Sequence, residues 1–215
     1  MQRRRVLSLS AIALLALGRA HAEPPEDRIF TRVETALGSF VIAVDPKRAP
    51  ITVANYLAYV DAGWLAGGSV YRSVTPSNQS PDTVHKIEVV QWGMNLPDDQ
   101  APPRPPIAHE TTAQTGLRHR DGTVSMARST PGSATAEFFI CIGDQPELDF
   151  GGRRNPDGQG FAAFGQIVAG HDTVRALYRQ GASEQYLKPP IAVRSVRRLS
   201  PQEATALSLQ TPASR

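Results

Sequence analysis

Hydrophobic and polar residues alternate over short runs along most of the chain, which is the period of strands with one buried face. In GSFVIAV, for example, Phe40, Ile42 and Val44 fall on the same face. Runs of this kind, bounded by Gly, Pro, Asn and Asp, predict eight strands at about 29–36, 39–45, 69–74, 86–92, 123–127, 137–142, 161–168 and 191–199. Eight strands with little helix predict a mainly β domain, and closure into a barrel would remove exposed strand edges.

Two segments have helical spacing instead. The first begins near Pro50, which suits a first helical turn, and Gly63 can end it; the second spans about 171–180. Their apolar faces are Val53, Leu57, Val60 and Trp64 in the first helix, and Val174, Leu177 and Tyr178 in the second. Long Pro-, Gly- and Asp-rich loops are predicted at 75–85, 95–110 and 143–160, and residues 200–215 are predicted to be a disordered tail.

The stretch EFFICIG, residues 137–143, is apolar on both faces. Phe138, Ile140 and Ile142 share one face, and Phe139 and Cys141 share the other. A half-buried strand needs only one apolar face, so the second must be covered by something else. Cys141, the chain's single cysteine, is interpreted as a small buried hydrophobe, and it has no second cysteine with which to form an intramolecular disulfide.

Residues 1–22 have the pattern of a secretory signal peptide. Three consecutive arginines precede a 12-residue apolar run, and AHA at 20–22 resembles a cleavage site. Its removal would leave a domain at 23–199, located in the periplasm or secreted, with no stable membrane insertion. The 23 basic residues of the chain would fall to 19 against 20 acidic ones, a net charge of −1, which argues against a nucleic-acid partner.

The sequence lacks the usual motifs of hydrolases and of metal-binding sites. There is no G-x-S-x-G motif and no Gly-rich phosphate loop, and the histidines at 85, 109, 119 and 171, without metal-ligand spacing, are predicted to be surface residues. Arg72 and Gln91 instead fall within apolar strand patterns, Arg72 on the same face as Val70 and Val74. Both are hydrogen-bond donors, which suits a site that binds and twists amides. No metal or cofactor is expected.

Three motifs in order, GTVSMAR (122–128), TAEFFICIGDQPELDFGG (135–152) and GFAAFGQIVAGHDTVRAL (160–177), resemble the cyclophilin-type peptidyl-prolyl isomerases. Within that family the chain is most similar to a proteobacterial exported subgroup. The resemblance covers about 29–199 and implies a closed eight-stranded antiparallel β-barrel capped by two α-helices, with the active site on its outer wall. Phe138, Ile140 and Ile142 would then fill the barrel, and Phe139 would be the floor of a proline pocket.

The resemblance also implies roles for individual residues. Arg72, Gln91 and Phe139 match the family's catalytic arginine and its pocket glutamine and phenylalanine. The substrate-binding positions implied in the same way are Val89, Ala127, Arg128, Glu137, Glu147, Leu148 and Phe161. Five of these carry a residue other than the family's common one: Val89, which stands where a methionine is usual, and Arg128, Glu137, Glu147 and Phe161.

Function is therefore expected to be isomerisation of X–Pro bonds in unfolded or extended exported polypeptides, by a monomer without a cofactor. The alternative is a binding module or chaperone that grips proline-containing segments on the same barrel with little turnover. A third interpretation, an unrelated barrel that carries a ligand inside, requires a hollow interior, and the apolar inward residues argue against it.

Overall fold

A computed structural model describes residues 28–97, 99–181 and 183–210, and the segment interpreted as a signal peptide lies outside these residues. Eight antiparallel strands close into a barrel in the order β1-β2-β7-β5-β6-β4-β3-β8. They are β1 (Ile29–Thr35), β2 (Gly38–Val44), β3 (Ser69–Val74), β4 (Val89–Gly93), β5 (Thr123–Met126), β6 (Glu137–Cys141), β7 (Ala163–Ala169) and β8 (Tyr186–Arg198). The predicted closed barrel is confirmed.

Large side chains fill the barrel axis. The ring of Phe138 packs against Tyr56, Trp92 and Phe164 at centroid distances of 5.2, 5.1 and 6.0 Å, and all four side chains are fully buried. Ile140 and Ile142 belong to the same core. The inward facing predicted for alternate residues of β6 is confirmed. A barrel packed in this way has no room for an internal ligand, so the hollow-barrel interpretation is wrong.

The helices are α1 (Pro50–Asp61), the short α2 (Thr112–Thr115), α3 (His171–Tyr178) and α4 (Pro201–Gln210). The first residues of α1 carry no side-chain cap of their own, and the carboxylate of Glu110 accepts from the Ile51 and Thr52 amides at 3.1 and 2.7 Å instead. Trp64 lies beyond the end of α1 and is 37% exposed, so the helical face predicted from its spacing ends at Val60.

The predicted common face of Val70 and Arg72 is wrong. In the pairing of β3 with β4, Val70 lies opposite Trp92 and Arg72 lies opposite Gln91, so Tyr71 is an extra residue that forms a β-bulge. A bulge reverses the alternation beyond it. Val70 therefore points into the barrel, whereas Arg72 and Val74 lie on the outer wall.

The C-terminal part of the domain differs most from the prediction. Strand β8 begins at Tyr186, earlier than the predicted 191. The prediction began too late because Pro189 and Pro190 are residues that usually argue against a strand. Residues 201–210, predicted to be disordered, form α4. A capping box explains the helix: the Ser200 hydroxyl accepts from the Glu203 amide, and the Glu203 carboxylate accepts from the Ser200 amide at 2.8 Å.

Candidate functional site

A second apolar cluster lies on the outer wall of the barrel, separate from the core. Phe139 and Cys141 project into it from β6, on the opposite face from Phe138. The predicted outward facing of these two residues is thereby confirmed. The other buried members of the cluster are Val74, Ile87, Val89 and Leu148, with Ala127 and Phe161 packed against them.

This cluster is the floor of a cavity of about 190 Å³. Clefts for drug-sized ligands are typically about 300–1,000 Å³, so this cavity suits a single side chain better than a large molecule. Eight of the predicted site residues line it: Arg72, Val89, Gln91, Ala127, Arg128, Phe139, Leu148 and Phe161.

Strand register brings the central residues together. Across neighbouring strands, Tyr186 pairs with Arg72, Arg72 with Gln91, and Gln91 with Phe139. Paired residues of adjacent strands lie on the same face of the sheet. The bulge at Tyr71 is therefore what places an arginine beside the apolar floor.

The guanidinium of Arg72 is held on two sides. Its Nε and Nη2 donate to Oε1 of Gln185 at 3.0 and 2.6 Å, and its Nη1 donates to Oε1 of Gln91 at 3.0 Å. Gln185 is itself anchored, because its Nε2 donates to the carbonyl of Asn78 at 3.0 Å. The Tyr186 ring lies 5.6 Å from the guanidinium carbon. The charge is therefore fixed at the rim of the apolar floor.

Arg128 supports the opposite side. Its side chain is 1% exposed and makes a bidentate ion pair with Asp157 at 2.8 and 2.9 Å, while its Nε donates to the Gly160 carbonyl. The ion pair with Arg128 and the hydrogen bond from the Gln159 amide lower the pKa of Asp157 to about 2. The guanidinium lies 5.0 Å from the Phe161 ring, which packs edge-on against Phe139 at 5.3 Å. Arg128 thus positions the aromatic wall.

Behind the floor lies a buried hydrogen-bonded chain. His119 Nδ1 is 2.8 Å from Asp149, its Nε2 is 3.0 Å from the Ser125 hydroxyl, and its ring stacks on Phe139 at 5.9 Å. His119 was predicted to be a surface residue, but it is 1% exposed, because its two nitrogens have partners inside the wall. Ser125 is fully buried, so this serine, histidine and aspartate are sealed from any substrate and serve as support.

Two predicted substrate-binding residues lie outside the cavity lining. Glu137 is exposed and accepts from Gln91 Nε2 at 3.4 Å. Glu147 accepts from the amide and the guanidinium of Arg153 at 2.8 and 3.3 Å, and both bonds lower the pKa of its carboxyl. A carboxylate engaged in this way is directed towards Arg153 and away from the floor.

The sequence interpretation missed four residues around the cavity. Ile87, Arg154 and Asn155 line it, and Gln185 holds Arg72. Arg154, Asn155 and Gln185 lie in loops, where no hydrophobic period marks the position of a side chain. Ile87, in contrast, continues the alternation of Val89 and Gln91 and could have been found from it. The polar sequence around Gln185 gave no signal, and only the pairing of β8 with β3 brings it to the site.

The described residues contain no group of three or more His, Cys, Asp or Glu side chains that could hold a metal ion. Within the same part of the chain, no helix combines the length and apolarity needed to cross a membrane.

Comparison with known proteins gives consistent matches. Residues 30–198 match the family model described as cyclophilin type peptidyl-prolyl cis-trans isomerase/CLD. Peptidyl-prolyl cis-trans isomerase A of Dickeya dadantii is 29% identical over 202 residues, which are 90% of this chain and 97% of the relative. Peptidyl-prolyl cis-trans isomerase cyp18 of Streptomyces antibioticus is 34% identical over 163 residues, which are 74% of this chain and 90% of the relative.

Solved structures show the same fold. A cyclophilin type peptidyl-prolyl cis-trans isomerase of Cryptosporidium parvum aligns with TM-scores of 0.64 and 0.63 in two crystal structures, at 16% and 17% identity. The alignments cover 80% of this chain and 98% and 99% of theirs. The second of these structures was determined in the presence of the dipeptide Ala-Pro.

Proposed function

The chain belongs to the cyclophilin-type peptidyl-prolyl cis-trans isomerase family, and on that premise we propose that its outer cavity binds proline-containing segments and catalyses rotation about the X–Pro bond. The observation that carries the proposal is the guanidinium of Arg72, fixed at the rim of an apolar floor of single-residue size. A floor of this kind suits a proline ring, and the arginine suits the adjacent amide.

The mechanism follows from the electronic structure of the amide. Resonance between nitrogen and carbonyl gives a rotational barrier of about 18–20 kcal/mol, and X–Pro bonds interconvert over tens to hundreds of seconds. Contacts with Phe139, Val89 and Leu148 hold the proline ring. A hydrogen bond from Arg72 to the prolyl nitrogen then favours the pyramidal nitrogen, which exists only in the twisted transition state. The interaction is stronger there than in the ground state, and so it accelerates rotation.

Arg72→Ala tests the mechanism. We expect the variant to fold but to lose activity by about 10²–10³-fold, the usual cost of removing one preorganised donor. Arg72→Lys should also be poor, since an ammonium cannot reproduce a planar fork of donors. Cis–trans exchange of a proline tetrapeptide, followed by exchange NMR, measures the rate. Arg194→Ala, which removes an exposed arginine from β8, is the matched control. Wild-type rates in a folded Arg72→Ala protein would refute the proposed role.

The alternative function is a binding module with little turnover, in which the same cavity grips proline-containing segments. The unusual residues beside the cavity, Glu137 and Glu147, are the argument for it, whereas the anchoring of Arg72 by Gln185 and Gln91 favours catalysis. The same exchange experiment separates the two. Saturable peptide binding by the wild type without faster exchange would establish the binding module.

We further propose that the protein acts on exported polypeptides, as in an exported proteobacterial subgroup of the family. The pattern of residues 1–22 supports this location. Expression of the full chain in a Gram-negative host, followed by fractionation and intact-mass measurement, tests it. We expect a periplasmic or secreted product that begins at Glu23, and a cytoplasmic product that keeps residues 1–22 would contradict the proposal.

A further inference from the structure

Three arginines line the cavity, and they differ in how their charges are balanced. Arg128 is paired with the carboxylate of Asp157. The partners of Arg72 are the neutral amide oxygens of Gln185 and Gln91. Arg154 also donates only to neutral oxygens, from Nη1 to Gln79 Oε1 at 3.1 Å and to the His85 carbonyl at 2.9 Å.

The nearby carboxylates are engaged elsewhere. Glu147 bonds to Arg153, and Glu137 accepts from Gln91 rather than from an arginine. Within the described ranges, no ion pair joins a carboxylate to Arg72 or Arg154. Burial and repulsion from Arg72 lower the pKa of Arg154, as two close cations in a partly desolvated site require. An arginine nevertheless stays protonated at neutral pH.

Arg154 also keeps unused donors at the cavity. Its hydrogen bonds to other described residues are made by Nη1 alone, and none of them occupies Nε or Nη2. Its neighbour Arg153 differs in each respect: that side chain is 72% exposed, faces Glu147 and does not line the cavity. Two adjacent arginines in one loop thus offer a cation inside the site and a matched cation outside it.

We propose that Arg154 makes this site select proline segments that carry a carboxylate next to the proline, from an Asp or Glu side chain or from the end of a polypeptide. The inference rests on the proposed isomerase function and names its substrate class. A carboxylate bound there accepts hydrogen bonds from the free guanidinium nitrogens of Arg154 and offsets one of the two positive charges, which weakens the repulsion between Arg154 and Arg72. Guanidinium and carboxylate match in geometry as well as charge.

Exchange NMR on capped peptides of the type acetyl-Ala-Xaa-Pro-Yaa-amide tests the proposal. Glu is compared with its neutral isostere Gln at Xaa and at Yaa, and a free C-terminal acid is compared with its amide. At low salt we expect the better Glu position, or the free acid, to raise kcat/KM about threefold or more over its neutral counterpart, near the upper range for partly exposed ion pairs. The ratio should fall as ionic strength rises.

Three variants assign the effect. Arg154→Gln should bring the ratio close to one, Arg154→Lys should keep part of it because the charge remains, and Arg153→Gln should leave it at the wild-type value. Melting temperatures check the fold, since Arg154 also joins two loops. Even if Arg154→Gln is unstable, Arg154→Lys and the salt dependence of the wild type still show whether the preference for a carboxylate comes from Arg154.

Each outcome has a distinct meaning. In one outcome the protein accelerates exchange of the Gln peptides and of the Glu or free-acid peptides equally over the uncatalysed rate. That result would overturn this inference and leave the isomerase function intact. An equal loss of preference in Arg153→Gln would overturn it as well, because the effect would then come from the general charge of the loop. A preference for the free acid alone would support it and identify a chain end as the source. No acceleration of any peptide would refute the isomerase function itself.

Discussion

At the residue scale, a guanidinium can favour a twisted amide only if it is already in place when the amide twists. A free arginine side chain loses up to about 2 kcal/mol of rotamer entropy when it is immobilised. In this protein Gln185 and Gln91 immobilise Arg72 before any peptide binds, through three hydrogen bonds of 2.6–3.0 Å. Preorganisation of this kind is the general source of electrostatic catalysis.

Gln185→Ala is therefore expected to slow catalysis although Gln185 touches no reacting atom. Loss of its bonds to Arg72 should lower kcat by about tenfold, or about 1.4 kcal/mol, near the value of one hydrogen bond to a charged group. KM should change less, because the apolar floor is intact. The split between kcat and KM in the exchange assay measures this. Glu184→Ala, which removes a 70% exposed neighbour, should behave like wild type. Equal losses in both variants would indicate a general disturbance of the loop.

His119 makes stability depend on pH. Burial lowers its pKa below the unfolded value of about 6.5, so the unfolded chain takes up this proton first as the pH falls. The contribution of His119 to the free energy of unfolding is fully present above about pH 6.5. It is lost as the pH falls towards the folded pKa, by at most about 1.4 kcal/mol per pH unit. Urea unfolding between pH 7.5 and 5 should give a flatter profile for His119→Asn than for wild type. His171→Asn, which changes an exposed residue, should keep the wild-type slope, and an unchanged slope in His119→Asn would exclude this explanation.

At the scale of elements, the two faces of β6 have different roles. The face with Phe138 packs in the barrel, and the face with Phe139 supports the cavity. Because successive residues of a strand point to opposite sides, adjacent phenylalanines serve different purposes. Stability and chemistry can be tested separately within a single strand.

Truncation of the two phenylalanines should separate these purposes. Phe138→Ala is expected to cost about 3–5 kcal/mol of unfolding free energy, as for other buried aromatic residues. Phe139→Ala should cost less, since its cluster is smaller, but should remove most of the isomerase activity. Urea denaturation and exchange NMR on both variants provide the measurements. The reverse order of stabilities would contradict the assigned facing.

The same elements show what a sequence can predict and what it cannot. The alternation in β6 and β2 predicted their facing, because period two is a property of the strand itself. The bulge at Tyr71 was invisible, since it depends on how β3 pairs with β4, and it moved Val70 to the opposite face from Arg72. Gln185 and Arg154 were missed for a related reason: their place at the site depends on contacts distant in sequence, with Arg72 of β3 for Gln185 and with the loop residue Gln79 for Arg154. The S-x-x-E cap of α4, in contrast, is a local pattern that the sequence itself contains at Ser200 and Glu203.

At the scale of the whole molecule, closure links every strand to two neighbours. No strand can leave without breaking two hydrogen-bonded ladders, and the core rings contact residues from several strands and from α1. A structure connected in this way should unfold in one cooperative step.

The two tryptophans can test this cooperativity. Trp92 is buried in the barrel and Trp64 lies past the end of α1. In Trp64→Phe the fluorescence reports on the barrel, and in Trp92→Phe it reports on the end of the helix. We expect the urea midpoint from fluorescence to coincide with that from far-UV circular dichroism within each variant. An earlier fluorescence midpoint in Trp92→Phe would show that α1 detaches before the barrel opens.

Cys141 is a natural probe of how often the wall of the cavity opens. Its thiol is fully buried in the outer cluster, and burial raises its pKa well above the ordinary value. A thiol reagent can therefore modify only those molecules whose wall has momentarily opened. The rate of labelling therefore measures how often the wall opens, and a peptide bound on the floor should lower that rate. The occupancy of the cavity can thus be followed in the unmodified sequence, with one sulfur atom and without observing any bond rotation.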